Sequence, residues 1–379
     1  MAAALPVAIT APRPLTLLAV LAVMVAVGGA LRMAEYLPHR NASVRIAGAS
    51  AHVQWRVVAL WAVAAAFMLA LVIVGLIVGD FPVPARDALA TVLWDRGGEF
   101  DFIINTLRFP RLTVALLAGI ALACSGAIFQ GLIGNPLVSP DIIGVNNGAA
   151  LVAVFILAVG GDVSLLPYAA FAGAASTALL IYVLAWKSGV SGARLVLVGI
   201  GINSVLAAGI TFIQVRFPIE RIIAAARWQA GTLFGASWSD ARTLAIGLAI
   251  LLPLAFFFTR RLRLLQLGDD TAAALGIRVE RDRLALLAIG SGLAAIAVAV
   301  VGPLGFVALL VPHIARLLAG NLTGGVLLLT GVLGGLFLLG ADLIAQRLFA
   351  PTALPAGVIT AALGGPYFLL LLARYNRAL

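Results

Sequence analysis

The sequence predicts an all-α polytopic membrane protein with ten core transmembrane helices and one extra helix at the N-terminus. Three observations carry this. Apolar runs of 18 or more residues recur almost end to end, the length an α-helix needs to cross roughly 30 Å of hydrocarbon. Hydrophobic residues make up 63% of the 379 residues and charged ones only 11%, far from the balance of a soluble domain. The basic residues, 25 in all with Lys187 the only lysine, gather between the runs rather than inside them, as expected where arginines face headgroups.

The elements follow in order. The first core run is 57–79, VVALWAVAAAFMLALVIVGLIVG. A polar stretch, 80–111, holds Asp80, Arg86, Arg96, Arg108 and Arg111. Runs at 112–133, 141–160, 165–186 and 195–215 come next, then a polar segment, 216–240, with Glu220, Trp228 and Trp238. The remaining runs are 241–259, 284–301, 302–319, 322–342 and 355–373. Upstream, 15–31 is also apolar; only Arg13 precedes it and no small-residue cleavage site is visible, so it makes a poor signal peptide. It reads as an extra span, the alternative being an over-long start with Met33 as initiator. The chain thus divides into an N-terminal extension, 1–56, with a cytoplasmic linker over 32–56, and a membrane domain, 57–379.

Charge sets the orientation. If 57–79 runs from inside to outside, fifteen basic residues fall inside and nine outside. Residues 260–283, RRLRLLQLGDDTAAALGIRVERDR, then lie in the cytoplasm with six arginines. The net charge of +10 is accounted for by these flanks and does not call for nucleic acid. Cys124 stands alone, which excludes an internal disulfide framework and a thiolate metal site.

The spans carry few ionisable groups. Asp342 sits near the outer end of one, His313 near the inner end of another, and Asp141 at the start of a third, where it reads as a helix N-cap. Ion-coupled carriers place such groups at membrane depth, so the energy for any transport should enter from elsewhere. Lys187 lies in LAWKSG and not in a phosphate-binding GxxxxGK[ST] loop, and the histidines 39, 52 and 313 are scattered. No catalytic or metal-ligating set is therefore assigned. Gly134-Asn135-Pro136-Leu137 and Ser139-Pro140 interrupt the path between two spans on the inner side. Non-helical backbone at membrane depth must be shielded by protein or line a cavity. Gln130, Asn135, Pro136, Ser139 and Pro140 are accordingly expected along a translocation path, the alternative being an ordinary tight turn. Pro303 and Pro312 bracket a second interruption.

The inner stretch 260–283 contains a small helix. Gly268 breaks the preceding run, Asp269 or Asp270 can cap the new N-terminus, Thr271-Ala272-Ala273-Ala274-Leu275 favours helix, and Gly276 suits the C′ position. A helix of under two turns needs tertiary support. A knob for a partner's groove and a solvated loop both fit these residues.

Four longer blocks now matter together. LRFPRLTVALLAGIALACSGAIFQGLIGNPLVSPDIIGVNNGAA (107–150), GPLGFVALLVPHIARLLAG (302–320) and ADLIAQRLFAPTALPAGVITAALGGPYFLLLL (341–372) resemble the permease family of ABC importers for ferric siderophores, haem and cobalamin. LGDDTAAALGIRVERDRL (267–284) looks like the coupling-helix region of that family. The resemblance spans 57–376, and the GDDTA block is most like the ferric-catecholate (enterobactin-type) subgroup. It implies the ten-span fold of the cobalamin-importer permeases, two permease subunits around a central path, and two ABC ATPase chains docked below. ATP and magnesium would be held by those ATPases, with no cofactor in this chain. The segment Gly268, Asp269, Asp270, Thr271, Ala272, Ala273, Ala274, Leu275, Gly276 matches the helix that sits in the ATPase cleft. Arg108 and Arg111 match arginines that receive an extracytoplasmic binding protein. Many members have Arg where Gln346 stands here, which makes Arg347 the candidate for the third docking arginine; many also have Glu where Ala353 precedes Leu354-Pro355. Together these imply a non-enzymatic permease for a ferric siderophore in a bacterial cytoplasmic membrane, paired with a similar but non-identical permease. Haem or cobalamin is the alternative cargo.

Overall fold

The computed structural model describes residues 41–46, 49–79, 81, 83–94, 97–187, 189, 191–348 and 353–375. The span expected at 15–31 lies outside the described residues. A two-stranded antiparallel hairpin, β1 (Asn41–Ile46) and β2 (Ala49–Gln54), pairs Asn41 with Gln54 through Ile46 with Ala49. It stands where the sequence suggests only a linker. Its origin is the alternation of Ala42, Val44 and Ile46 with polar residues, a period of two.

The hairpin leads straight into α1 (Trp55–Ile77). The polar stretch after it is partly helical, with α2 (Ala85–Leu93) and a π-wound segment, Phe102–Arg108, that runs into α3 (Phe109–Ile133). A single turn, α4 (Pro140–Ile143), precedes α5 (Val145–Val159); α6 (Leu166–Ala185) and α7 (Gly192–Arg216) follow. The second polar segment forms α8 (Ile219–Gln229), and α9 (Trp238–Leu265) descends to the short α10 (Asp269–Ala274). The chain closes with α11 (Val279–Val301), α12 (Val307–Ala319), α13 (Gly324–Arg347) and α14 (Ala356–Tyr375).

Among the described residues eight helices are long and apolar enough to cross a membrane, and two shorter apolar ones, α5 and α12, fill the remaining places among the ten expected. These two are shorter than the runs 141–160 and 302–319 suggest. At 1.5 Å per residue they reach only about 20 Å, and the interruptions before them supply the rest. The break at 302–306 is shielded as apolar surroundings require: Thr232 donates its N–H to Val301 O at 2.8 Å, and Gly357 donates to Gly231 O at 3.0 Å, which ties the start of α14 to the same loop.

Helix α3 is the axis of the fold, packed by α9, α11, α12 and α13. Its sequence explains why. Small residues let helix backbones approach closely where lipid offers no hydrophobic drive for association. Gly119 and Gly334 meet so tightly that a Cβ on either would overlap the other's carbonyl, and Gly126 meets Ala308 in the same way. Ser125 adds a hydrogen bond to Gly290 O at 2.6 Å across to α11. Gly334→Ala should therefore force α3 and α13 apart and destabilise the chain by about 1–3 kcal/mol. Gly201→Ala, with no atom within 4 Å of the new methyl, should leave it unchanged. Thermal unfolding of the two variants in detergent compares them directly.

Candidate functional site

The inner end presents α10. Gly268 enters it at φ 100°, ψ 154° and Gly276 leaves it at φ 83°, a left-handed value that favours glycine. Gly276 N–H donates to Ala273 O at 2.9 Å and Ile277 N–H to Ala272 O at 3.0 Å. This is the paired closing pattern of a Schellman motif, with Gly276 at C′ as its sequence position suggests. The N-terminus differs from expectation. Gly268 occupies the N-cap and neither aspartate caps by its side chain. Asp269 and Asp270 begin one residue too late to reach the free N–H groups, so they contribute charge at the positive helix end.

Asp269 instead accepts a hydrogen bond from Arg283 Nη2 at 2.7 Å, while Arg283 Nη1 reaches Glu280 at 3.2 Å. Arg261 pairs with the buried Asp282 at 2.5 Å and lies over the rings of Phe257 and Phe258. Charges that read as membrane-side anchors thus also clamp the bases of α9 and α11 around the short helix. Only Ala272 is buried; Asp269, Asp270, Thr271, Ala273, Ala274, Leu275 and Gly276 are exposed. Gln266, just before α10, donates to Gly131 O at 3.0 Å, which joins this end to the foot of α3.

The residues expected along a path are not all alike. Gln130 is enclosed, donating to Leu309 O at 2.9 Å and accepting from Arg316, so it bridges α3 and α12 and faces no open lumen. Ser139 and Pro140 are buried, Pro136 is half-buried, and Asn135 is exposed with its Oδ1 taking the Leu137 N–H at 2.9 Å. Gly134, at φ 70°, makes the turn that ends α3. Asp141 is not the N-cap; Ser139 holds that position, and Asp141 Oδ1 accepts from Asn146 Nδ2 at 2.7 Å.

At the outer end a cavity of 680 Å³ brings Arg108, Arg111, Gln346 and Arg347 together between aromatic walls that include Phe102 and Phe234. Arg108 and Arg111 also make hydrogen bonds within the chain. Arg108 donates to the carbonyls of Leu76, Ile77 and Phe81, closing the end of α1. Arg111 forms a two-pronged pair with Asp342, Nε to Oδ2 at 2.9 Å and Nη2 to Oδ1 at 2.8 Å, and Gln346 Nε2 donates to the same carboxylate at 2.8 Å. Asp342 is fully buried. A partner for Asp342 is not evident from sequence, though one acid near the outer end of a span facing an arginine-bearing helix is the signal for it.

Ten apolar helix positions, a broken pair of them, an exposed capped helix at one end and an arginine-lined recess at the other define a membrane permease. A family model described as the FecCD transport family matches residues 67–374. The ferric enterobactin transport system permease protein FepG of Escherichia coli (strain K12) is 40% identical over 304 residues, 80% of this chain and 92% of that protein. The Fe(3+)-citrate import system permease protein YfmE of Bacillus subtilis (strain 168) is 41% identical, covering 76% and 86%. A solved structure titled an inward-facing conformation of a putative metal-chelate type ABC transporter superposes with a TM-score of 0.72 at 25% identity, over 82% of this chain and 97% of that one. The chain belongs to the FecCD transport family.

Removing one member of a buried pair leaves the other charge without compensation, at about 3–5 kcal/mol. Arg111→Ala should accordingly unfold the solubilised protein at a markedly lower temperature. Arg111→Leu combined with Asp342→Leu should recover most of that loss, because no charge then remains buried. A thermal double-mutant cycle reads both.

Proposed function

We propose that this chain is the permease subunit of an ATP-driven importer that carries a ferric siderophore across a bacterial cytoplasmic membrane. The observation that carries the reading is its membership of the family together with relatives whose names specify ferric enterobactin and Fe(3+)-citrate. In this reading residues 57–379 form the permease domain, and 1–56 form an appended extension. The chain pairs with a second, similar permease subunit, and two ABC ATPase chains bind the inner face. They hold the nucleotide and its magnesium; the permease performs no chemistry on its cargo.

Gly268–Gly276 is the contact for the ATPase, and its geometry suits that task. An exposed helix fixed by two glycine turns and the Asp269–Arg283 ion pair moves as a unit with α9 and α11, and Gln266 passes that displacement to α3. Gln130, Asn135, Pro136, Ser139 and Pro140 lie on or beside the path at its inner side. In the enclosed arrangement of Gln130, opening would require α3 and α12 to separate. An extracytoplasmic binding protein docks at the outer recess. Arg108, Arg111 and Arg347, which line that recess together, supply its docking charges. Exposed charge pairs of this kind add only about 0–1 kcal/mol each, so their contribution is to orientation and encounter rate.

Replacing Asp269–Ala273 by glycines should abolish uptake while the protein still inserts and the outer recess still binds. The measurement is uptake of radiolabelled iron chelates, catecholate against citrate, with haem and labelled cobalamin as competing cargoes, in cells deleted for the gene. Uptake surviving the glycine replacement would sink the coupling role. Uptake of cobalamin alone would shift the cargo, and uptake that needs no ATPase but collapses with an ionophore would replace the whole reading by an ion-coupled carrier.

A further inference from the structure

A second recess lies at the inner end of α9, just ahead of α10. It has a volume of 520 Å³ and is lined by Arg260, Arg263, Leu264, Gln266, Leu267 and Asn321. Arg260 and Arg263 are three residues apart on one helix, so they share a face, and like charges there repel. Among the described residues neither has an ion-pair or hydrogen-bond partner, whereas their neighbours Arg261 and Arg283 are both paired. Two forked donors and the Asn321 amide line one recess, and among the described residues no carboxylate lines it with them.

The depth of the site is set by the helix. Trp238, at the start of α9, has an amphipathic ring suited to the outer interface. At 1.5 Å per residue Arg260 lies about 33 Å further along, one hydrocarbon thickness away, and therefore at the level of the inner headgroups. The face above it is apolar and open. Phe256 stands one turn up the same stripe as Arg260, Arg263 and Leu267, is half-exposed, and rests its ring against Gly324 beside Asn321.

We propose that this recess binds the phosphate of an anionic phospholipid of the inner leaflet. Arg260 and Arg263 hold the phosphate through their planar forks, Asn321 offers its amide to the headgroup, and one acyl chain lies along Phe256. The inference rests on the inside-facing orientation of residues 260–283 and on no step of transport, so its test reads lipid alone.

The test is native mass spectrometry of the full complex, permease with its ATPases, released from detergent containing dioleoylphosphatidylglycerol or dioleoylphosphatidylcholine. The wild type should retain the phosphatidylglycerol and not the choline lipid. Arg260→Gln with Arg263→Gln should lower retention about thirtyfold, since each arginine near the surface is worth roughly a fivefold preference. Equal retention by wild type and variant overturns the proposal. Displacement of the lipid by inorganic phosphate at millimolar concentration identifies a soluble-anion site instead, and retention by the permease alone but not by the complex assigns the recess to the ATPase; either result also overturns it. Should the double variant not fold, a spin label at Asn321→Cys in nanodiscs of the two lipids mixed replaces it. The label should be broadened by headgroup-labelled phosphatidylglycerol and not by its choline counterpart, and equal broadening rules the site out.

Discussion

The contact between Gly119 and Gly334 is the constraint on which the rest of the structure depends. Two helix backbones can lie that close only if neither carries a side chain there. Once α3 and α13 are seated, their outer ends bring Arg111 and Asp342 within bonding distance. Further down the same helix, Gly126 admits α12 against α3, and that approach encloses Gln130 between Leu309 and Arg316. The small residues of one helix therefore decide which polar groups meet at two different depths.

This makes α3 a physical link between the two ends. Its foot receives Gln266 from the segment that carries α10, and its head holds the buried pair at the outer recess. The pair is stiff because its carboxylate is saturated by Arg111 and Gln346 together. The break after Gly134 is held by a side-chain turn at Asn135, a short helix and the buried Val138, Ser139 and Pro140.

Most of the fold is legible in the sequence because a membrane imposes a coarse rule: a helix must be apolar for its whole crossing. The ten positions, the break at 134–140 and the ending of α10 at Gly276 follow from hydropathy, proline and glycine. What escaped reading depends on distance along the chain or on offsets of one residue. Arg111 and Asp342 are 231 residues apart, and no local pattern announces their meeting. Asp269 differs from an N-cap by one position, a margin that composition does not resolve. The shortening of α12 to 307–319 is set by Phe306, which takes the left-handed φ of 68° against Gly364, a packing outcome rather than a propensity. The hairpin at 41–54 had a period-two signal, but a short one beside far stronger apolar runs.

The helices differ greatly in how much they owe to their own chain. In α13 89% of the apolar window is buried, while in α7 the share is 17%. A substitution on α13 therefore almost always disturbs this subunit's core, and its residues are constrained jointly with those of α3. On α7, residues such as Leu197, Val205, Phe212 and Val215 project away from the chain and can change size without repacking anything within it. Over evolutionary time the two helices should accumulate change at very different rates. The freedom of α7 is then limited only by whatever lies next to it, so its sequence is a record of the neighbour more than of the fold.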